Sequence, residues 1–154
     1  MLFRFFYIPL QKIYFMVIDI NKYLGRWHEI ARIPNEFEPE LTDVTAEYTL
    51  LDNGDIEVIN SGYLHGKQKK MRGIAKTTEN DDLLKVSFFK GLFYSDYRIL
   101  AITEDYDYAL VGGGKPDYLW ILGRKKIMPT GVFCWFQEVA LEHAYNVEKL
   151  KITK

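Results

Sequence analysis

The sequence has almost no means of cross-linking itself. Cys134 is its single cysteine, so no disulfide can close within the chain, and no asparagine opens an Asn-x-Ser/Thr acceptor site. Nothing in this pattern demands a secretory route, and a reducing compartment is compatible with it. Excess charge of either sign is also missing, since 20 Lys and Arg against 21 Asp and Glu leave a formal net charge of −1. A chain so balanced projects no long-range field, which argues against nucleic acid as a partner and leaves charge-based recognition to local patches. Long hydrophobic runs are absent too. Residues 1–18 are apolar and aromatic, but Arg4, Pro9, Gln11 and Lys12 interrupt them well short of a membrane span. The segment has neither the small-residue cleavage site of a signal peptide nor the cysteine that follows the apolar region of a bacterial lipoprotein. Two readings stay open for it: a misread extension ahead of a start at Met16, or an N-terminal arm that touches a membrane. From these absences a cytoplasmic location is slightly favoured over the cell envelope.

What is present fits one β-rich domain over 19–154. A chain of 154 residues has room for a single sizeable core, and its 16% aromatic share suits sheets, where flat side chains pack well. Strand-like runs at 26–33, 42–50, 55–64, 68–78, 83–89, 95–103, 107–113 and 117–124 are separated by turn chemistry at regular spacing. The clearest alternation sets Val44, Ala46, Tyr48 and Leu50 against Thr45, Glu47 and Thr49, and Asn53-Gly54 then supplies a hairpin turn. From about Thr130 to Tyr145 the period becomes helical, with Val132, Phe136, Val139, Ala140 and His143 inward and Gln137, Glu138 and Glu142 outward. A last short strand is expected from Val147 to Ile152. Eight hairpin-connected strands with no long crossover make an all-β, antiparallel up-and-down barrel, packed outside by one C-terminal helix. A barrel of about eight strands is wide enough to hold one small ligand.

The segment Asn21 to Arg32 resembles the opening signature of the lipocalins, whose G-x-W begins the first strand, and Gly25 and Trp27 fill it. Thr103-Glu104-Asp105-Tyr106 is similar to the family's T-D-Y turn with one extra residue, Asp105 and Tyr106 being the matches. Arg124, at the end of the eighth run, stands where the family keeps a basic residue. The resemblance spans about residues 19 to 154 and is nearest the bacterial lipocalin and apolipoprotein D branch, through Ile30 to Pro34, Phe37, Leu83 to Phe89 and Tyr118 to Leu122. His28 departs from that branch's tyrosine. The resemblance implies a calyx barrel for lipid-like ligands, with Arg124 laid over the Trp27 ring at the closed end.

If Trp27 and Arg124 point inward, parity places Glu29, Ala31, Tyr118, Trp120 and Leu122 inside with them. On the other strands the apolar phase and the family's register agree on Ala46, Tyr48, Leu50, Ile56, Val58, Asn60, Gly62, Met71, Gly73, Ala75, Leu84, Val86, Phe88, Tyr97, Ile99 and Ala101. The small residues among these leave a barrel unfilled. The alternative is that Tyr48, Phe88, Tyr97, Tyr118 and Trp120 fill it as an ordinary core. Alternate turns share an end: those near 51–55, 79–82 and 104–107 are acidic and closed, while the open-end connections carry Lys67, Lys69, Lys90 and Lys115 beside the apolar Leu92, Phe93 and Tyr94. Such a rim suits an anionic head on an apolar tail, or contact with a membrane surface, although Glu36, Glu38 and Glu40 in the first open-end loop oppose it.

Gly112-Gly113-Gly114-Lys115 looks like a phosphate loop, but Pro116 and a strand follow it, so no helix N-terminus waits for a phosphate. His28, His65 and His143 fall on three elements without ligand-like spacing, and Cys134 has no neighbouring histidine, so neither a metal, a cofactor nor a nucleophile is expected. Glu29 is the one inward acid, read as buried among apolar groups. The expected function is binding and transport or storage of fatty acids or lysophospholipids by a monomer or weak homodimer without catalysis. The alternatives are an enzyme using Glu29 and the pocket tyrosines, or a ligand-free interaction module.

Overall fold

A computed structural model describes residues 17–35, 40–88 and 91–154. Eight antiparallel strands run in sequence order: β1 (Gly25–Arg32), β2 (Thr42–Leu50), β3 (Ile56–Leu64), β4 (Lys67–Thr77), β5 (Leu83–Ser87), β6 (Ser95–Ile102), β7 (Tyr108–Gly113) and β8 (Leu119–Gly123). Each pairs with the next, and β1 pairs with both β2 and β8, so the sheet closes on itself. A short helix α1 (Ile20–Tyr23) precedes the barrel, α2 (Thr130–Glu142) follows it, and the two-residue strand β9 (Lys151–Ile152) lies against β1. All eight expected runs lie within two residues of an observed strand. The signals behind them hold locally. On β2, Val44, Ala46 and Tyr48 are buried while Glu47 and Thr49 are exposed, and Gly54 takes φ +87° in the turn that follows.

Two apolar clusters lie on the two sides of the barrel wall. Inside are Trp27, Tyr48, Ile56, Val58, Leu84, Ile99 and Val111. Outside, α2 covers Ile30, Leu110, Leu119 and Ile121 with Phe136 and Ala140, an i, i+4 pair on its buried stripe. Removing the Phe136 side chain from water contributes about 2 to 3 kcal/mol.

Register shifts on two strands overturn part of the expected lining. Between Glu29 and Ala31 on β1, and between Ile99 and Ala101 on β6, the pairing slips by one residue. A bulge resets the alternation beyond it. Ala31 and Ala101, expected inside, therefore belong to the outer cluster beneath α2, while Arg32 and Ile102 turn inward.

The C-terminal part also departs from expectation. Helix α2 stops at Glu142, not near Tyr145, because Ala144 adopts φ +62° and the Tyr145 N–H bonds back to the Ala140 carbonyl at 3.0 Å. This is a Schellman stop without the glycine that usually announces one. His143, expected inward, is exposed at the C-cap. The last strand shrinks to β9 because a 3-10 turn occupies Val147–Lys149, anchored by Asn146 Nδ2 donating to Asp117 Oδ1 at 2.5 Å. β9 nevertheless has a structural task. β1 pairs with β2 only as far as His28, and beyond it the chain end fills the seam: the Thr153 N–H donates to the Ile30 carbonyl at 3.0 Å, and the Asp43 N–H to the Lys154 carbonyl at 2.6 Å.

Candidate ligand-binding site

The closed end is built from the chain's first described residues. Asp19 caps α1 by accepting from the Asn21 N–H, and the helix presents Tyr23 to the base of the barrel. Trp27, fully buried, donates Nε1–H to the Tyr23 carbonyl at 2.8 Å and packs 5.0 Å from the Tyr23 ring. The Arg124 guanidinium lies 3.8 Å from the Trp27 ring centre and donates to the carbonyls of Lys22, Leu24 and Arg26 at 2.8 to 2.9 Å. A Cβ on Gly25, which holds φ +97°, would stand 3.3 Å from Arg124 Nη1, so glycine leaves the arginine room. Opposite, the Asp105 carboxylate accepts from the Thr103 hydroxyl and the Asp107 N–H, which holds its pKa below the usual carboxylate value. Tyr106 takes φ +58°, which absorbs the extra residue of this turn, and its hydroxyl accepts from the Asp19 N–H.

Above this floor, strand pairing settles which residues face inward. Tyr48, Val58 and Gly73 form one level, and Ala46, Asn60 and Met71 the next toward the open end. Phe88 lies against Gly73 so closely that a Cβ there would come within 2.7 Å of its ring. Val86, Tyr97, Ile99 and Trp120 complete the inner wall, and Tyr118 stacks on Trp120 at 6.3 Å at the rim. Gly62 is buried beneath Leu41 and Val44. Several of these inward side chains remain accessible: Met71 keeps 46% of its surface, and Asn60, Phe88, Tyr97 and Trp120 are half-buried. On the inner face of a closed barrel, such exposure means that solvent reaches the lumen. Leu50, also in the inward phase, ends at the closed rim and is exposed.

Two polar groups inside the barrel escaped the sequence reading. Arg32 Nη1 donates to Glu29 Oε1 at 2.8 Å, and the Thr153 hydroxyl donates to the same oxygen at 2.7 Å, with Arg32 7% and Glu29 9% exposed. Glu29 is thus not set among apolar groups alone. The bulge brings Arg32 to its side, a signal no alternation pattern carries. Lower down, the hydroxyl of Tyr97 meets those of Tyr23 and Tyr48.

At the mouth, Lys69 pairs with Gly62 and Lys67 with Leu64, which places both lysines in the inward phase of β4, while Gln68 and Lys70 take the outer one. Lys115 sits in the turn between β7 and β8, its ammonium 5.6 Å from the Tyr118 ring centre. The tip between β5 and β6 leaves Leu92 and Phe93 more than 70% exposed. Lys90, Glu36, Phe37, Glu38 and Phe89 lie outside the described residues.

Comparison with known proteins agrees with this geometry. Residues 18–154 match the Lipocalin-like domain. Outer membrane lipoprotein Blc of Vibrio cholerae is 39% identical over 137 residues, covering 86% of this chain and 80% of that protein. Apolipoprotein D of Mus musculus is 34% identical over 145 residues, with coverage of 88% and 76%. The solved structure of lobster apocrustacyanin A1 superposes with a TM-score of 0.71 at 18% identity, over 86% of this chain and 77% of that one, which speaks for the fold. The Blc relative corrects one expectation. An outer membrane lipoprotein points to the cell envelope and overturns the leaning toward the cytoplasm. The lack of disulfides is no obstacle to that, because a closed barrel with two apolar clusters needs no staple. By sequence, signature and fold, the chain belongs to the lipocalin family, whose members bind small hydrophobic ligands.

Proposed function

We propose that this protein carries or stores amphipathic lipids, a fatty acid or lysophospholipid, with the acyl chain inside the barrel and the anionic head beneath the lysines of the mouth. The observation that carries the reading is the accessible inner wall of Met71, Phe88, Tyr97 and Trp120 under the inward-phase Lys67 and Lys69. Burying an apolar chain there supplies about 25 cal/mol per Å² of surface removed from water. The lysines choose the head group. The exposed Leu92 and Phe93 at the same end support contact with a lipid surface during loading. Binding proceeds without covalent chemistry: Glu29, the one inward acid considered for catalysis, is held by Arg32 and Thr153.

The test titrates delipidated protein with hexadecanoic acid and with hexadecanol, following tryptophan fluorescence and repeating with Trp120→Phe. Saturable binding that favours the acid, weakens with salt and loses much of its signal in Trp120→Phe supports the reading. Equal binding of acid and alcohol keeps the pocket but removes the lysine head-group site. Binding of neither overturns the carrier and leaves the interaction-module alternative.

A further inference from the structure

The barrel floor carries hydroxyls that neither its closure nor an acyl chain requires. Tyr23 from α1, Tyr48 from β2 and Tyr97 from β6 come from three separate elements, yet their hydroxyls converge. Tyr97 bonds to Tyr23, and to Tyr48 at 2.8 Å, with the three ring centres 5.5 to 6.5 Å apart. Around them stand Val58, Leu84 and Ile99. Burying phenols in such surroundings costs desolvation that phenylalanine would avoid, and the cost is offset only by partners. Burial also holds Tyr23 and Tyr97 well above the ordinary tyrosine pKa. Both therefore stay neutral at physiological pH, able to donate and to accept. Tyr23 and Tyr48 are 0% and 4% exposed. Tyr97, its hydroxyl bonded to both neighbours, keeps part of its side chain accessible on the inner face, so it is the member of the trio that borders the lumen.

We propose that Tyr23, Tyr48 and Tyr97 form a subsite for a hydroxyl at the far end of the ligand, so that the barrel takes chains with an anionic head and a hydroxylated tail. This rests on the carrier reading and sharpens it. A hydroxyl can donate to one tyrosine and accept from another, whereas a methyl end can do neither. A carboxylate fits the floor poorly. The nearby cation there, Arg124, lies against Trp27 with its N–H groups given to backbone carbonyls. The dimensions suit a medium chain. From Lys69 to Gly73, level with Tyr48, is four residues of β4, or about 13 Å at a strand's rise. With carbon–carbon bonds of about 1.5 Å, an extended chain of roughly ten to twelve carbons covers that span.

Calorimetry on the delipidated full chain tests this with dodecanoic acid and 12-hydroxydodecanoic acid. A purely apolar pocket disfavours the added hydroxyl, because it gives up water without a new partner. Wild type is expected to bind the hydroxy acid at least as tightly as the plain one. Tyr97→Phe should weaken the hydroxy acid about tenfold while leaving the plain acid within about twofold, and Tyr48→Phe makes the same comparison if Tyr97→Phe does not fold. A wild-type preference for dodecanoic acid of about tenfold or more, or equal weakening of both acids by Tyr97→Phe, overturns the subsite and leaves the carrier standing. Failure of both acids to bind wild type overturns the subsite, and the carrier reading falls with it only if hexadecanoic acid also fails to bind.

Discussion

Arg124 lies over the Trp27 ring, its guanidinium 3.8 Å from the ring centre, while its N–H groups hold the carbonyls of Lys22, Leu24 and Arg26. One side chain thus ties the last residue of the barrel circuit to the helix that enters it. Its removal takes away a cation–π contact and leaves several backbone acceptors without a donor. Arg124→Ala is expected to cost about 2 to 4 kcal/mol in urea unfolding. Arg124→Lys should recover only part of this, since an ammonium cannot stack on the indole and fork to several carbonyls at once. Full rescue by lysine would show that charge alone matters at this end.

The Glu29–Arg32 pair is buried, so its members depend on each other. Glu29→Gln replaces the charged acceptor of the Arg32 N–H at 2.8 Å and is expected to cost about 1.5 to 3 kcal/mol. Glu29→Met combined with Arg32→Met should cost less than the sum of the two single changes, because each single change already breaks the bond between them. Thr153→Val removes one donor from Glu29, for about 1 kcal/mol. A double-mutant cycle from urea unfolding checks all of these, and additive costs would mean that the pair does not interact energetically.

The strands and the lipocalin signatures were legible because their causes are local. Alternation on β2, the Asn53-Gly54 turn and the Gly25/Trp27 spacing each act over a few residues, and each lies where expected. The misplaced residues have a different origin. Ala31 and Ala101 face outward because bulges on β1 and β6 respond to neighbouring strands rather than to their own sequence, and one slipped residue inverts everything beyond it. Arg32 entered the barrel by the same slip. The end of α2 was hidden because Ala144 performs a glycine's task, and the tyrosine trio because its members come from elements far apart in sequence. Lys67 and Lys69 could be placed at the mouth from turn parity alone. Only the β3–β4 register shows that they also share the inward phase.

His28 gives the fold a mild dependence on pH. It faces out from β1 opposite Thr45 and Gly123, and among the described residues its buried Nδ1 has no hydrogen-bond partner. Burial lowers its pKa below 6.5, Lys126 and Arg26 lower it further, and Asp43 opposes them. Just below pH 6.5 the unfolded chain therefore binds more protons at this site than the folded one. The stabilisation is complete above that value and declines as pH falls toward the folded pKa. Asp43, Asp105 and Asp117, whose pKa values lie below 3.8, are ionised throughout this window and contribute only in stronger acid. The urea midpoint should fall between about pH 7.5 and 5.5, and fall less in His28→Gln. An equal fall in both proteins would assign the slope to other groups.

Neighbouring lysines on β4 separate a head-group site from general surface charge. Lys69 lies in the inward phase opposite Gly62, and Lys70, one residue on, takes the outer phase opposite Ser61. Net charge changes equally when either becomes glutamate, so any long-range effect on an anionic ligand is matched. Only the inward position puts the new carboxylate beside a head group at the mouth. Lys69→Glu is expected to weaken fatty-acid binding about tenfold, or about 1.4 kcal/mol, while Lys70→Glu changes it by less than about twofold. The neutral alcohol of the same length should bind both variants alike. Salt sharpens the comparison, because screening over a length of about 8 Å at physiological ionic strength weakens wild-type binding of the acid and narrows its gap from Lys69→Glu. Equal effects of the two substitutions would mean that the lysines act only through overall charge, and the head group would then have to be sought deeper, beside Arg32.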